Sequence, residues 1–225
     1  MHHRKEMNMK TESESGIILY QSKYGATKKY AYWLEEALGF ACMEVGEAAR
    51  DMVKQYDTII FCGGIYASGI AGLAFLKKHI RELQDKKTAI FCVGASPYDD
   101  SALAEIKARN LTGDLRGIPL FYGRGAWDEG KMTFRDRTLC RLLQKSVAKR
   151  DPSTYEPWMK ALMCAVGQTC DWTDRKYLAP LLDYLKNVTK KSVENIFSMQ
   201  PTPDFVGIYS EGTGKGRCRC GTKRL

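Results

Sequence analysis

Short apolar runs alternate with amphipathic stretches through most of this chain. Gly16 to Tyr20 is an apolar run with the composition of a buried strand. Thr27 to Leu38 then repeats with helical spacing, placing Tyr30, Ala31, Leu34 and Leu38 on one face. Phe40 to Val45 reads as a weaker second strand. Asp57 to Cys62 is a strong third, ending in Gly63-Gly64. Ile70 to Leu83 is helical in period, with Leu73, Leu76 or Lys77, and Ile80 in register. Lys87 to Val93 is a fourth strand closed by Gly94, Ala102 to Asn110 a helix, and Gly117 to Tyr122 a fifth strand.

Strands and helices alternating at this spacing form βαβ units around a parallel sheet. Right-handed crossovers place helices on both faces. The expected fold is therefore α/β, a doubly wound five-stranded parallel sheet in the order 2-1-3-4-5. A closing helix is expected over Asp174 to Val188, with Leu178, Leu181, Leu182 and Leu185 as its stripe and Asp171 or Thr173 as N-cap. Before it, residues 124–170 read as a helical insertion after strand five, with helices near Phe134 to Ala148 and Glu156 to Val166. The expected organisation is a disordered start over 1–15, one ligand-binding domain over 16–188, and a C-terminal extension over 189–225. That extension is basic and mostly disordered.

Charge changes the picture through its location. The net charge is +9, and the 124–170 insertion alone holds nine basic against five acidic side chains. Such a surface favours anionic partners. The insertion's apolar stripes (Leu139, Leu142 and Leu143, then Trp158, Leu162 and Val166) can meet a membrane, or pack on the sheet, as such stripes more commonly do. No apolar run reaches membrane-spanning length, and the polar first residues lack a signal-peptide core. The chain is therefore expected in the cytoplasm, at most peripheral to the inner face of a membrane. Among eight cysteines, Cys62 and Cys92 sit in buried-strand runs. Cys218 and Cys220 lie in the basic tail without partners at zinc-site spacing, so no metal is expected. His79 is read as a surface residue, and no Ser-His-Asp or Cys-His set can be assembled.

The candidate chemistry lies where doubly wound folds bind ligands, just past the carboxyl ends of the strands. Ser22-Lys23-Tyr24-Gly25-Ala26-Thr27 joins strand one to helix one. A helix N-terminus with hydroxyls and a glycine suits a phosphate, although an ordinary turn with a Thr N-cap has the same spacing. It is neither a Gly-x-Gly-x-x-Gly fingerprint nor a Walker loop. Gly63-Gly64-Ile65-Tyr66-Ala67-Ser68-Gly69 follows strand three, where Tyr66 can stack on a flat ring or cover the core edge. Gly94-Ala95-Ser96-Pro97-Tyr98 follows strand four, and Arg124 follows strand five, as a solvated or structurally paired cation or an anion contact. Without acid–base machinery, this set suits a cofactor that carries its own chemistry.

The stretch Ile18 to Ala31 and the stretch Asp57 to Gly69 resemble the phosphate loop and ring-binding segment of flavodoxin-domain proteins. The branch most resembled is that of menaquinone-dependent protoporphyrinogen oxidase. That likeness includes Arg124 to Arg137, with its Asp-Arg pair ahead of a Leu-rich helix, and Asp171-Trp-Thr-Asp174. The resemblance spans about 16–188. It implies FMN, with Ser22, Lys23, Tyr24, Gly25, Ala26 and Thr27 holding the phosphate. Ile65, Tyr66 and Ala67 would lie on one side of the ring and Gly94, Ala95, Ser96 and Pro97 on the other. It further implies an oxidoreductase passing electrons from a porphyrin-like anionic substrate to a quinone or redox partner; the alternative is an electron carrier without its own substrate. Which residues are catalytic stays open, and no nucleic-acid partner is expected.

Overall fold

The computed structural model describes residues 15–47 and 53–188. The expectations for 1–14 and for 189–225, with Cys218 and Cys220, lie outside the described residues. Five strands form the parallel sheet: β1 (Gly16–Gln21), β2 (Ala41–Glu44), β3 (Thr58–Tyr66), β5 (Lys87–Gly94) and β6 (Leu120–Arg124). Their order is β2-β1-β3-β5-β6. A two-residue strand, β4 (Gly69–Ile70), pairs antiparallel with the end of β3 and lies off this path. Counted along the parallel sheet alone, the order is the expected 2-1-3-4-5.

Both faces of the sheet are covered, which is why its strands are nearly continuous apolar runs. Ile17, Leu19, Ile59, Phe61, Ile90 and Cys92 point to one side. There they meet α2 (Leu73–Lys78), α3 (Ile80–Leu83) and the residues packed around α4 (Asp100–Asn110). Ile18, Ile60, Cys62, Ala89, Phe91 and Val93 point to the other side. They meet Tyr30, Ala31 and Leu34 of α1 (Ala26–Leu38), and Leu178, Leu181 and Leu185. The last two belong to α7 (Ala179–Val188), the closing helix, which follows a short 3-10 turn over Arg175–Leu178.

Several local expectations are corrected. In the periodic stretch 70–83, Ile70 belongs to β4, and the helical part is two short helices from Leu73 on, broken at His79. His79 is not a surface residue: it is 4% exposed, with its ring 4.5 Å from that of Phe75. Its side chain turns inward at the break, a placement that residue type alone does not signal. The third strand runs past Gly63-Gly64 to Tyr66, because the chain folds back as a hairpin instead of opening into a loop. The fifth strand starts at Leu120, three residues later than Gly117, after a 3-10 turn at Gly113–Leu115. The closing segment is capped by Asp174, whose carboxylate accepts from the Lys176 N–H at 3.0 Å, and not by Asp171 or Thr173.

Between β6 and the closing turn the chain leaves the sheet through β7 (Ala126–Asp128) and returns through β8 (Thr169–Asp171), which pair antiparallel. Between these strands lie α5 (Phe134–Val147) and α6 (Pro157–Cys164). They enclose a small core of Trp127, Val147, Met159, Leu162, Ala165 and Cys170. The two α5 and α6 stripes fare differently. Leu162 is buried and Trp158 packs against this core, although Val166 is exposed, whereas Leu139, Leu142 and Leu143 are all exposed.

Candidate functional site

The residues singled out from sequence gather at the carboxyl end of the sheet. After β1, the Ser22–Gly25 turn leads into α1. Gly25 sits at the N-cap with φ +97°, a conformation L side chains rarely adopt, and a Cβ there would meet nothing within 4 Å. Backbone geometry, and not crowding, therefore calls for glycine. The Gly25 N–H donates to Ser22 Oγ at 3.1 Å. No side chain caps α1, and no acidic residue stands in its first turn. Its leading N–H groups and partial positive charge therefore suit an anion. Thr27 is not the cap: it is the second residue of the helix and is buried.

The second segment is the β3–β4 hairpin. Tyr66 pairs with Gly69 and Ile65 with Ile70, so Ala67 and Ser68 form the two-residue turn. Both have positive φ, +47° and +65°, without being glycine. Asn110 holds this turn in place. Its amide donates to the Ser68 and Ile106 carbonyls at 2.8 Å each, and its Oδ1 accepts from the Ile70 N–H at 2.9 Å. The signal available in sequence is only an Asn in the last turn of a helix, because its Ser68 and Ile70 partners lie some forty residues away. From the hairpin, Tyr66 reaches the first loop: the Lys23 N–H donates to its hydroxyl at 3.3 Å. The ring folds over Gly64, where a Cβ would lie 2.9 Å from it, and meets the Tyr24 ring edge-on at 6.2 Å. Tyr66 thus does more than cover the core edge.

The third segment, Gly94 to Pro97, stands beside the hairpin. A Cβ at Gly94 would be 3.3 Å from Ile65 and 2.9 Å from the Tyr122 hydroxyl. That hydroxyl donates to the Ser96 carbonyl at 2.5 Å, and burial pushes its pKa up. The Arg124 guanidinium donates to the Ala95 carbonyl at 3.1 Å and lies 4.1 Å over the Trp172 ring. Arg124 is therefore a structural tie between this loop and the exit of the insertion, with an aromatic partner where an ion pair was one of the expectations.

The residue that sequence reasoning missed is Asp136. One of its carboxylate oxygens takes hydrogen bonds from the Lys23 ammonium and the Tyr24 hydroxyl. The Thr133 N–H donates to that same Tyr24 hydroxyl at 3.2 Å. The first turn of α5 therefore rests on the Ser22–Thr27 loop. Hydrogen bonding to Lys23, then to Tyr24, holds the Asp136 carboxyl below its ordinary range, and the same contact raises Lys23. Its neighbour Arg137 turns the other way, donating to the carbonyls of Glu129, Gly130 and Met132.

The donor set fits a phosphate-bearing flavin. An uncapped helix start with a left-handed glycine and a hydroxyl suits the phosphate. Gly64 and Gly94 let the Tyr66 ring and the Tyr122 hydroxyl close onto the backbone, where a Cβ would lie 2.9 Å from each, and so set two aromatic side chains beside this loop. Ser22 to Thr27, Ile65 to Ala67 and Gly94 to Pro97 lie at one end of one sheet, and Lys23–Tyr66 and Ile65–Gly94 join them pairwise.

A doubly wound parallel domain with an anion-ready loop at its switch point is the class that fold and site define. A flavodoxin-domain family profile matches residues 17–154, and the chain belongs to that family. Among solved structures, it is similar to the two-electron reduced flavodoxin of Megasphaera elsdenii. Identity there is 17%, over 48% of this chain and 82% of that one, with a TM-score of 0.37. A WrbA-like flavodoxin from Agrobacterium tumefaciens shares 20% identity over 58% of this chain and 92% of its own, at a TM-score of 0.37. The Fusobacterium nucleatum flavodoxin bound to flavin mononucleotide shares 15% over 48% and 68%, at 0.31. No curated protein matches the chain.

Proposed function

We propose that the chain is an FMN-dependent oxidoreductase that takes two electrons from an organic, anionic substrate and passes them to a quinone. In this reading, 16–188 is one flavin-binding unit and 124–170 an insertion that borders its site. The observation that carries the reading is the start of α1. It is uncapped, free of acid in its first turn and headed by Gly25, and it is joined through Lys23 and Tyr66 to the hairpin. FMN, when bound, supplies the two-electron chemistry. The Ser22 hydroxyl and the loop N–H groups would hold its phosphate. Tyr66 and the Gly94 to Pro97 loop would flank its ring. The Asp136 contact favours an enzyme over a bare carrier, because it brings the insertion onto the cofactor loop. Protoporphyrinogen is the substrate to test first, since its propionates suit the basic insertion.

The test is the absorption spectrum of the purified protein, with FMN supplied, followed by anaerobic protoporphyrinogen. Flavin bleaching matched by a growing porphyrin band supports the reading and its substrate. A bound flavin that porphyrinogen leaves unchanged removes this substrate and moves the weight to an electron carrier. A protein that takes up no FMN ends the flavin reading.

A further inference from the structure

Helix α5 is mounted with its apolar side outward. Phe134, Leu139, Leu142 and Leu143 are 81%, 65%, 58% and 45% exposed. The side turned to the protein is largely polar. Asp136 serves the phosphate loop, Arg137 the carbonyls of the preceding turn, and Gln144 donates to Glu129 Oε1 at 3.1 Å. Only Val147, with Cys140 beside it, adds apolar burial on that side. A solvent-facing helix ordinarily shows the reverse arrangement.

The outward face is also cationic. Arg135 and Lys145 stand exposed among the leucines, Arg141 is exposed but pairs with Glu129 at 3.4 Å, and Lys149 and Arg150 follow just past the helix. The one carboxylate of α5, Asp136, is engaged on the inward side. The geometry points to this face as a docking surface for an anionic lipid bilayer. Leucine and phenylalanine side chains would enter the headgroup boundary, while the long Arg and Lys side chains reach the anionic headgroups. Charge selects lipid over a second copy of the chain, because two such faces would set like charges against each other. The inference stands apart from the flavin reading, since no contact in it involves the cofactor loop's ligand.

The test is sedimentation of the full chain with neutral phosphatidylcholine vesicles and with vesicles half phosphatidylglycerol, the flavin content of each pellet being read separately. The chain is expected to pellet with the anionic vesicles only, and to be released by high salt. Leu139→Ser with Leu142→Ser should weaken binding roughly tenfold or more, and Arg135→Glu with Lys145→Glu should weaken it similarly. Unchanged thermal melting of the variants shows that folding is not the cause. A folded chain that ignores anionic vesicles overturns the proposal. So does a leucine variant that binds like the wild type, or a self-association that the leucine variant abolishes without any vesicle binding. Colourless protein that still pellets leaves docking standing and sinks the flavin reading instead.

Discussion

Helices α1 and α5 have comparable length and similar amphipathic character in sequence, yet they use it in opposite ways. In α1, Tyr30, Ala31 and Leu34 are fully buried against the sheet. In α5, the leucines face outward, and the inward side is held by hydrogen bonds and ion pairs beside the one buried apolar side chain, Val147. A hydrophobic stripe therefore reports that some apolar surface wants cover, and leaves open what supplies it. For α1 the cover is the sheet made by the strands on either side of it in sequence.

The most direct way to break this comparison is to remove one leucine from each helix. Leu34→Ala should destabilise the fold by about 2–5 kcal/mol in urea unfolding, as a buried leucine lost from a close-packed core does. Leu142→Ala should stay within about 0.5 kcal/mol of wild type. Equal losses would mean that something covers α5.

Asn110→Ala is the next largest effect. It removes three hydrogen bonds and strands the buried Ile70 N–H. The expected loss is on the order of 2 kcal/mol. Hydrogen exchange should be fastest to rise at the Tyr66–Ile70 hairpin, and uniform change across the sheet would show that Asn110 does not act there. Tyr30→Phe sharpens the α1 side. The Tyr30 hydroxyl donates to the Arg124 carbonyl at 2.7 Å and accepts from the Asp174 N–H at 3.1 Å. Its loss should cost about 1–2 kcal/mol, read from the same urea transition.

The smallest effect is the most informative about α5. Asp136→Asn leaves the Lys23 charge without its carboxylate partner. FMN should then bind roughly three- to tenfold more tightly, while riboflavin, which has no phosphate, should bind unchanged. Equal shifts for both ligands would reveal a structural role in place of a charge effect. The pH behaviour follows from the same contact. The Asp136 carboxyl is lowered in the folded protein, so the pair is present above the ordinary carboxylate range and is lost as pH falls through the lowered value.

What sequence made legible divides along the same line. The parallel strands were readable because two covered faces demand unbroken apolar runs, and Ile59-Ile60-Phe61-Cys62 could hardly be anything else. The three loops of the candidate site were readable because strand ends and glycines coincide. The hairpin was not, since Ala67 and Ser68 carry none of the Asn-Gly chemistry that marks such turns, and the residue that enforces their backbone is Asn110. Asp136 was legible as part of a family-like Asp-Arg pair, but its landing place on Lys23 and Tyr24 depends on how the insertion folds back. His79 shows the same limit in reverse, because its burial beside Phe75 is decided by a helix break that periodicity passes over.

The β7–β8 stem has a consequence for how such a chain can be remodelled. Asp128 and Thr169 are register partners, so the forty residues between them depart from and rejoin the sheet domain at neighbouring points. Splicing Asp128 to Thr169 through a two-residue turn would close the stem as a plain hairpin and leave every parallel strand where it is. The insertion is thus a detachable module: a lineage, or an engineer, could graft it on or prune it away, and with it go both the carboxylate on the Ser22–Thr27 loop and the outward leucine face.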